Sequence, residues 1–410
     1  MSYLQKNDRK IYNLIEQEKR RQLTTIRLIP SENYVSQAVL EAVGSVLTNK
    51  YSEGYAKRRY YQGQSIIDEI EELSKSRAER LFEMPHANVQ PYSGSPANLA
   101  CYLALLKPGD TIMGMTLTSG GHLTHGSSVS YTGKLFKVVP YTVSKETGRL
   151  DFDEIRAIAK KEKPKLIIAG FTAYPRKVSF SSFQKIAKEV GAFLHADISH
   201  IAGLVAAGVH PSPAGLADTV VATTHKTLRG PRGALILSKK MYAKSIDKAV
   251  FPGLQGGPHN NTTAAIGVAL KEASRADFRK YAEQIIKNAK TLAEGLTKKG
   301  FTLATGGTDN HLVLADVSTR DITGKEAAIA LEKAGIIVNY NTIPFDERPP
   351  MDPSGIRLGS PAVTTIGMKE AEMKLIVKWI SEVLNNHNRE SKLRKIGKEV
   401  AAFMKNYQYY

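Results

Sequence analysis

Between Phe152 and Leu237 the sequence alternates between two apolar periods, and a chain that does so has few ways to fold. Phe152, Ile155, Ile158 and Ala159 recur at helical spacing, and the helix they define stops near Pro164. Leu166-Ile167-Ile168-Ala169 follows as a continuous apolar run, the pattern of a strand buried on both faces. Phe183, Ile186, Ala187 and Val190 mark the next helix, closed by Gly191, and Ala192-Phe193-Leu194 begins another strand. Thr219-Val220-Val221-Ala222 and Ala234-Leu235-Ile236-Leu237 read as two more. Helices that carry the chain back between buried strands predict an α/β fold, a mainly parallel sheet covered by helices on both faces. Ligands of such sheets gather at the edge where the strands end.

With 410 residues the chain has room for a second, smaller domain. Ile11, Leu14 and Ile15 share one face of an N-terminal helix, so residues 1–25 are expected to form a helical arm. Residues 26–280 form the large domain. It begins with an irregular stretch rich in Tyr and Gly (Tyr51, Gly54, Tyr55, Tyr60, Tyr61, Gly63), suited to lining a pocket, and a helix from Ile66 to Leu81 follows. The helix Ala264 to Ala273 closes it. Residues 281–410, with helix Ile285 to Leu296, strand His311 to Val317 and helices Lys325 to Ala334 and Lys369 to Asn386, form a smaller C-terminal α/β domain.

Composition removes several classes of function. No apolar run is long enough to span a bilayer, and the charged first thirty residues contain no signal-peptide core. The single cysteine, Cys101, excludes intrachain disulfides and cysteine metal clusters, and it fits a reducing, cytoplasmic compartment. The net charge of +18 raises nucleic-acid binding as a hypothesis. The basic residues are dispersed, however, and pairs such as Lys160-Lys161 belong to the solvated faces of amphipathic helices. No specific nucleic-acid partner is expected. A basic surface equally favours anionic cofactors and substrates.

The chemistry converges on Thr223 to Gly233, Thr-Thr-His-Lys-Thr-Leu-Arg-Gly-Pro-Arg-Gly, which lies between the last two predicted strands. A lysine among hydroxyls there, Lys226, is placed to lose its proton and attack a carbonyl, although a solvated loop lysine is the plainer reading. Ser93-Gly94-Ser95 precedes Pro96 and an apolar helix. Free amides and hydroxyls at that N-terminus make a phosphate cradle, or an ordinary helix cap. Asp197 closes the strand ending at Ala196, about one β-α-β unit before Lys226, where it either faces the ligand edge or caps a helix. Amine, carboxylate and cradle together fit pyridoxal phosphate, with His122 stacked on its ring. The His122-x-x-His125 spacing lacks a third ligand nearby, so no metal is expected.

The chain resembles the serine hydroxymethyltransferase family of fold-type I pyridoxal-phosphate enzymes essentially end to end. The likeness is carried by Pro-Ser-Glu-Asn at 30–33, Thr-Asn-Lys-Tyr-Ser-Glu-Gly-Tyr at 48–55, Arg-Tyr-Tyr at 59–61, Ser-Gly-Ser at 93–95 and Gly-Gly-His-Leu-Thr-His-Gly at 120–126. It continues through Ala-Gly-Leu-Val-Ala-Ala-Gly at 202–208, the Lys226 stretch, Gln-Gly-Gly-Pro at 255–258, Gly-Gly-Thr-Asp-Asn-His at 306–311 and Ser-Gly-Ile-Arg-Leu-Gly-Ser-Pro-Ala at 354–362.

The resemblance implies the following roles. Lys226 would bond the cofactor aldehyde, Asp197 would pair with the pyridine nitrogen, and His122 would stack on the ring. Ser93, Gly94 and Ser95 would hold the phosphate, with Tyr51 and Gly257 arriving from the other subunit of a homodimer or of a dimer of dimers. Thr172 and His200 would flank the ring hydroxyl. Arg357 with Ser31 would bind the substrate carboxylate, a task that suits the planar guanidinium fork. Glu53 and Tyr61 would act at the hydroxymethyl group, Glu53 from among Tyr51, Tyr55 and Tyr61, with His225 beside the lysine. Leu117, Gly121, Leu123 and Asn341 would line the pterin pocket.

Pro96 stands where the family commonly has Gln, though it suits a first helical position, and Thr172 keeps the hydroxyl of the usual Ser. The variable loop Phe345 to Pro350 leaves the pterin rim undefined. The implied reaction moves the serine hydroxymethyl carbon to tetrahydrofolate, giving glycine. A methanopterin-type carrier and a threonine or allo-threonine aldolase remain as alternatives, and outside enzymes a regulatory or RNA-binding protein on a degenerate enzyme scaffold.

Overall fold

The structure, a computed structural model, describes residues 2–410. Its main sheet has seven strands: β1 (His86–Asn88), β2 (Thr111–Met115), β3 (Lys137–Tyr141), β4 (Leu166–Gly170), β5 (Phe193–Asp197), β6 (Thr219–Thr223) and β7 (Ala234–Ser238). Their spatial order is β1-β7-β6-β5-β4-β2-β3. Every pair from β6 to β3 is parallel, while β7 runs antiparallel to both its neighbours.

Side chains alternate across this sheet with the two-residue period of a strand. Leu166 and Ile168 pack on one face with Ala97, Ala100 and Cys101, whereas Ile167 and Ala169 pack on the other with Phe180 and Phe183. Both faces are thus dry, which is why the strands read as unbroken apolar runs. The helices that cover them, Phe152–Glu162 and Phe180–Val190, begin on caps from Asp151 and Ser179 and end on left-handed residues, Lys163 and Gly191.

A second sheet combines strands Thr302–Leu303, Leu312–Asp316, Gly355–Gly359 and Asn339–Asn341, in that order and wholly antiparallel. Helices Gly324–Lys333, Glu370–Leu384 and Glu390–Met404 build the core with it. The last of these was not anticipated, although Leu393, Ile396, Val400 and Met404 carry a helical period and are buried.

Two expected boundaries differ. The division at 280/281 falls inside one helix, Ala276–Lys298. Phe278, Ala282 and Ile285 of that helix join the core of the main sheet, while Leu292, Ala293 and Leu296 join the second core. Ile26 and Leu28, expected in the large domain, belong instead to the second core, because strand Ile26–Arg27 pairs in parallel with Ile336–Ile337. The arm consists of two helices, Tyr3–Asn7 and Arg9–Thr24, joined at Asp8, which caps the second. None of its described residues is buried, and Ile11, Leu14 and Ile15 are about half exposed, at 46%, 51% and 50%.

Candidate active site

β6 and β7 are antiparallel neighbours, with Thr223 opposite Ala234, so residues 224–233 form a loop at the end of the sheet rather than a helical crossover. The loop is held from within: Thr224 donates its hydroxyl to the Pro231 carbonyl, and the Gly230 amide donates to the Thr224 carbonyl. Lys226 is therefore presented over the carboxyl ends of β4, β5 and β6, the edge where α/β sheets bind ligands. Its Nζ donates to Thr223 Oγ1 at 3.0 Å. Burial lowers its pKa to about 8, helped by the charges of Arg357 and Arg232 and opposed by Asp197.

A cleft of about 160 Å3 opens in front of the amine. Ser93, Gly94, Ser95, His122, Thr172, Asp197, His200, His225 and Lys226, nine of the residues singled out from the sequence, all line it. A larger groove, about 730 Å3, lies beside Arg77, Arg80 and Arg275. Its lining includes no acid or histidine to activate Lys271 or Ser274, so the smaller cleft is the one with chemistry.

Asp197 ends β5 and is closely held. Oδ2 accepts from His125 Nε2 and from Asn98 Nδ2, both at 2.9 Å, and Oδ1 accepts from the Ser199 amide at 3.0 Å. Burial alone would raise its pKa, but the hydrogen bonds from His125, Ser199 and Asn98 hold it well below the usual carboxylate range. The His125 tautomer follows from its other nitrogen: Nδ1 accepts from the His122 amide at 3.1 Å, so the proton is on Nε2, facing Asp197. Asn98 is fixed in turn, because its Oδ1 meets His195 Nε2 at 3.1 Å, and His195 Nδ1 meets Thr219 Oγ1 at 2.9 Å.

The remaining imidazoles are neutral. Burial, then the neighbouring His125, lowers His122 to about 4, and burial, then Lys226, lowers His225 to about 3. His200 is pushed well below its usual range by burial first and by Lys226 and Arg357 next. Lys226, Arg357 and Arg232 therefore outweigh Asp197, and the cleft favours anions.

Arg357 lies on strand Gly355–Gly359, its Nε donating to Asn339 Oδ1 at 3.1 Å and its Nη1 to the Thr172 carbonyl. No carboxylate of the described residues pairs with it, and burial lowers its pKa to about 10. A guanidinium so placed lacks a counterion, and a ligand carboxylate would supply one. Ser31 is half-buried just after Pro30, against which a Cβ on Gly359 would stand at 2.5 Å.

The cradle can be weighed against a cap. Ser93 occupies the N-cap of helix Gly94–Leu105, yet its side chain makes no capping hydrogen bond, so its hydroxyl remains free for a ligand. A Cβ at Gly94 would stand 2.7 Å from Thr223 Cγ2, so the site requires glycine. The free hydroxyl, the bare helix N-terminus, the amine and the hydrogen-bonded carboxylate all fit a phosphorylated pyridine aldehyde. Pro96 is the third helical residue rather than the first, a position that still needs no amide hydrogen.

Residues 4–380 match the family model of serine hydroxymethyltransferase. The chain belongs to the serine hydroxymethyltransferase family. Proteins named serine hydroxymethyltransferase are similar to it throughout. One from Acidothermus cellulolyticus is 63% identical over 383 residues, covering 93% of this chain and 90% of that protein. One from Sorangium cellulosum is 61% identical over 394 residues, covering 96% and 93%. One from Desulfotalea psychrophila is 59% identical over 402 residues, covering 98% and 94%.

Four of the residues expected from the family gather at a second place, apart from the cleft. Glu53 Oε2 accepts from Tyr61 at 2.7 Å and Oε1 from Tyr51 at 3.3 Å, and a Cβ on Gly257 would touch the Tyr51 ring at 3.0 Å. Tyr51, Glu53, Tyr61 and Gly257 thus form one cluster, and none of them lines the Lys226 cleft of the same chain. Tyr55 does not join them. Its hydroxyl donates to the Asp247 carbonyl at 2.6 Å and accepts from Asn88, which turns it away from Glu53.

Thr172 Oγ1 donates to the Gly121 carbonyl at 2.9 Å, so the added methyl leaves the hydroxyl engaged with backbone. Leu117 and Leu123 are 40% and 44% exposed, and Thr342, next to half-buried Asn341, donates to the Thr118 carbonyl at 3.3 Å. Asn98, His125, His195 and Arg232 were not assigned roles from sequence. For His125 the signal was its spacing from His122, and for Arg232 its place in the Lys226 loop.

Proposed function

We infer that this protein catalyses the reversible transfer of the hydroxymethyl carbon of serine to tetrahydrofolate, giving glycine and 5,10-methylenetetrahydrofolate, with pyridoxal phosphate as its cofactor. The observation that carries the reading is one cleft that joins a deprotonatable lysine, a carboxylate held ionised and, through Thr172, an unpaired arginine. Pyridoxal phosphate, when bound, supplies the aldehyde and an electron-accepting ring that make the Cα–Cβ bond of serine cleavable.

The protein's residues do the rest. Lys226, largely unprotonated above pH about 8, would hold the cofactor through its aldehyde, with Nζ as the atom that gives up and regains a proton. Asp197, kept anionic by His125 and Asn98, holds a proton on the pyridine nitrogen. Neutral His122 offers a flat face without adding charge, and Ser93, Gly94 and Ser95 hold the phosphate at the helix N-terminus. Thr172 and His200 flank the ring hydroxyl, and His225 supports the lysine. Arg357, with Ser31, grips the substrate carboxylate and orients the bond to be broken. Leu117, Gly121, Leu123 and Asn341 border the pterin.

Glu53 and Tyr61 act at the hydroxymethyl group and belong to the same cluster as Tyr51 and Gly257, so all four are supplied together by the partner of a homodimer. The half-exposed apolar face of Ile11, Leu14 and Ile15 supports association with a second copy. A second reading, aldol cleavage of 3-hydroxy amino acids without pterin, draws support from the cleft of a single chain, which holds Lys226 and Asp197 but not Glu53. Formation of glycine from serine by the pyridoxal-phosphate-loaded protein, with and without tetrahydrofolate, decides between them. Turnover that ignores the pterin would favour the aldolase.

A further inference from the structure

Just after Ser31, Asn33 satisfies four hydrogen bonds, one to its neighbour Tyr34 and three to distant parts of the chain. Its Nδ2 donates to the Lys226 carbonyl at 2.8 Å and to Tyr281 Oη at 2.7 Å. Its Oδ1 accepts from the Tyr34 amide at 2.9 Å and from Thr365 Oγ1 at 2.7 Å. Lys226 opens a turn closed by the Arg229 amide on the same carbonyl, at 3.1 Å. Arg229 has a positive φ of 62°, and its guanidinium lies 4.6 Å from the Tyr281 ring centroid. Thr365 ends the short helix Pro361–Thr365, which begins two residues after the strand carrying Arg357. Tyr281 lies on helix Ala276–Lys298, which contributes to both cores.

We propose that Asn33 is a positioning residue for the reaction, an amide that ties the Lys226 turn to the segment following Arg357. It holds the amine and the carboxylate-binding guanidinium at a fixed separation. The side chain suits the task chemically. Two donors and two acceptor lone pairs on one short planar group are all used, and no other residue of similar size offers both. Aspartate keeps the two acceptors but sets an oxygen against the Lys226 carbonyl. Near-attack geometry tolerates little error, and a misplacement of about 1 Å costs roughly 100-fold. Asn33 does not itself reach the reacting atoms, so its effect must pass through Lys226 and Arg357.

The two halves of the tie can be cut separately in the pyridoxal-phosphate-loaded enzyme. This test rests on the serine hydroxymethyltransferase reading, so unaltered enzyme is assayed beside each variant, and its inactivity would sink that reading rather than this one. Asn33→Asp, which loses both donors, should lower kcat with serine and tetrahydrofolate by about 100-fold and displace the pH midpoint of the lysine-bound cofactor absorbance. Thr365→Val, which cuts the Arg357 side and leaves the Asn33 bond to the Lys226 carbonyl, should raise the KM for serine about 3- to 10-fold with kcat within twofold. A purely structural role would reduce the yield of folded enzyme and leave kcat per bound cofactor, KM and the midpoint unchanged; that outcome overturns the proposal. If Asn33→Asp does not fold, Thr365→Val and Tyr281→Phe decide: unchanged KM and midpoint in both would overturn it equally.

Discussion

The Lys226 cleft and the Tyr51–Glu53–Tyr61 cluster carry the same kinds of chemistry, and the chain treats them in opposite ways. In the cleft the polar groups that hold Asp197 are buried and bonded to one another. Asp197 alone takes three donors, and behind it Asn98, His195 and Thr219 continue the chain of hydrogen bonds into the sheet. In the cluster, Tyr51 and Tyr61 are 57% and 42% exposed, and among the described residues the Glu53 carboxylate is bonded only by their hydroxyls. A cleft preorganised by its own chain can bind cofactor alone. A carboxylate displayed at the surface with two tyrosines is prepared for something brought to it from outside.

The largest break in that comparison comes from the cleft. Lys226→Ala should retain pyridoxal phosphate through the cradle and ring contacts but lose serine turnover by about four orders of magnitude or more. Borohydride reduction of the unaltered protein should fix the cofactor to the peptide containing Lys226. Label on any other lysine would remove Lys226 from its role.

Glu53→Gln probes the other side. Transfer to the pterin requires a hydroxyl to leave as water, and a carboxyl is the acid at hand; its loss should cost about 100- to 10,000-fold in pterin-dependent turnover. Pterin-free cleavage of allo-threonine should be largely spared. Mixing then sharpens the comparison. If one subunit's cluster serves its partner's cleft, mixed dimers of Lys226→Ala and Glu53→Gln chains contain one intact site. Re-equilibrated mixtures should recover up to about a quarter of unaltered activity. No recovery in proven mixed dimers would return Glu53 to its own chain's cleft.

How far these two regions could be read from sequence follows from how their residues meet. The strands were legible because both sheet faces are dry, leaving Leu166–Gly170 and Thr219–Thr223 as apolar runs between clear helix stops. The direction of β7 was not, since an apolar run reads the same either way and only the loop from 224 to 233 turns it back. Ile26–Arg27 escaped notice because two residues carry no period. In the cleft, Lys226 and Asp197 were legible from their places at strand ends, helped by the family likeness. Asn98 and His195 lie 97 positions apart, and nothing local announces that they touch. The cluster was half legible: the tyrosines were evident, but only the fold shows Tyr55 turned toward Asp247.

Arg357→Ala should have an intermediate effect. Loss of a charge-assisted contact to the substrate carboxylate is worth roughly 2–5 kcal/mol, so serine and glycine should both bind about 30-fold more weakly or worse. Cofactor affinity should hold, because Arg357 contacts Thr172 by its backbone rather than the cradle. Unchanged serine affinity, measured by titrating the cofactor absorbance, would make Arg357 a strut between the two sheets.

The smallest effect is one of pH, and it asks whether the cleft is as preorganised as its hydrogen bonds suggest. Lys226 is lowered from 10.5 to about 8, chiefly because burial disfavours the ammonium form, with Arg357 and Arg232 acting in the same direction and Asp197 against them. Only the unprotonated amine reacts with an aldehyde. Pyridoxal-phosphate uptake by the cofactor-free protein should therefore rise with pH, reach half its plateau near pH 8 and be flat well before 10.5. Replacing Asp197 by Asn removes the one charge that favours the ammonium, so the half-rise should move to lower pH. Replacing Arg357 by Gln removes a repelling charge and should move it higher. Stability must follow the same group: between about 8 and 10.5 the unfolded lysine holds a proton that the folded one does not. The cofactor-free protein consequently gains stability from Lys226 as pH rises through that window and loses it as pH falls back toward 8. Stopped-flow absorbance at a series of pH values would measure the uptake. A half-rise near 10.5 that ignores both substitutions would mean that Lys226 is solvated, and the contrast between a closed cleft and an open cluster would fail at its centre.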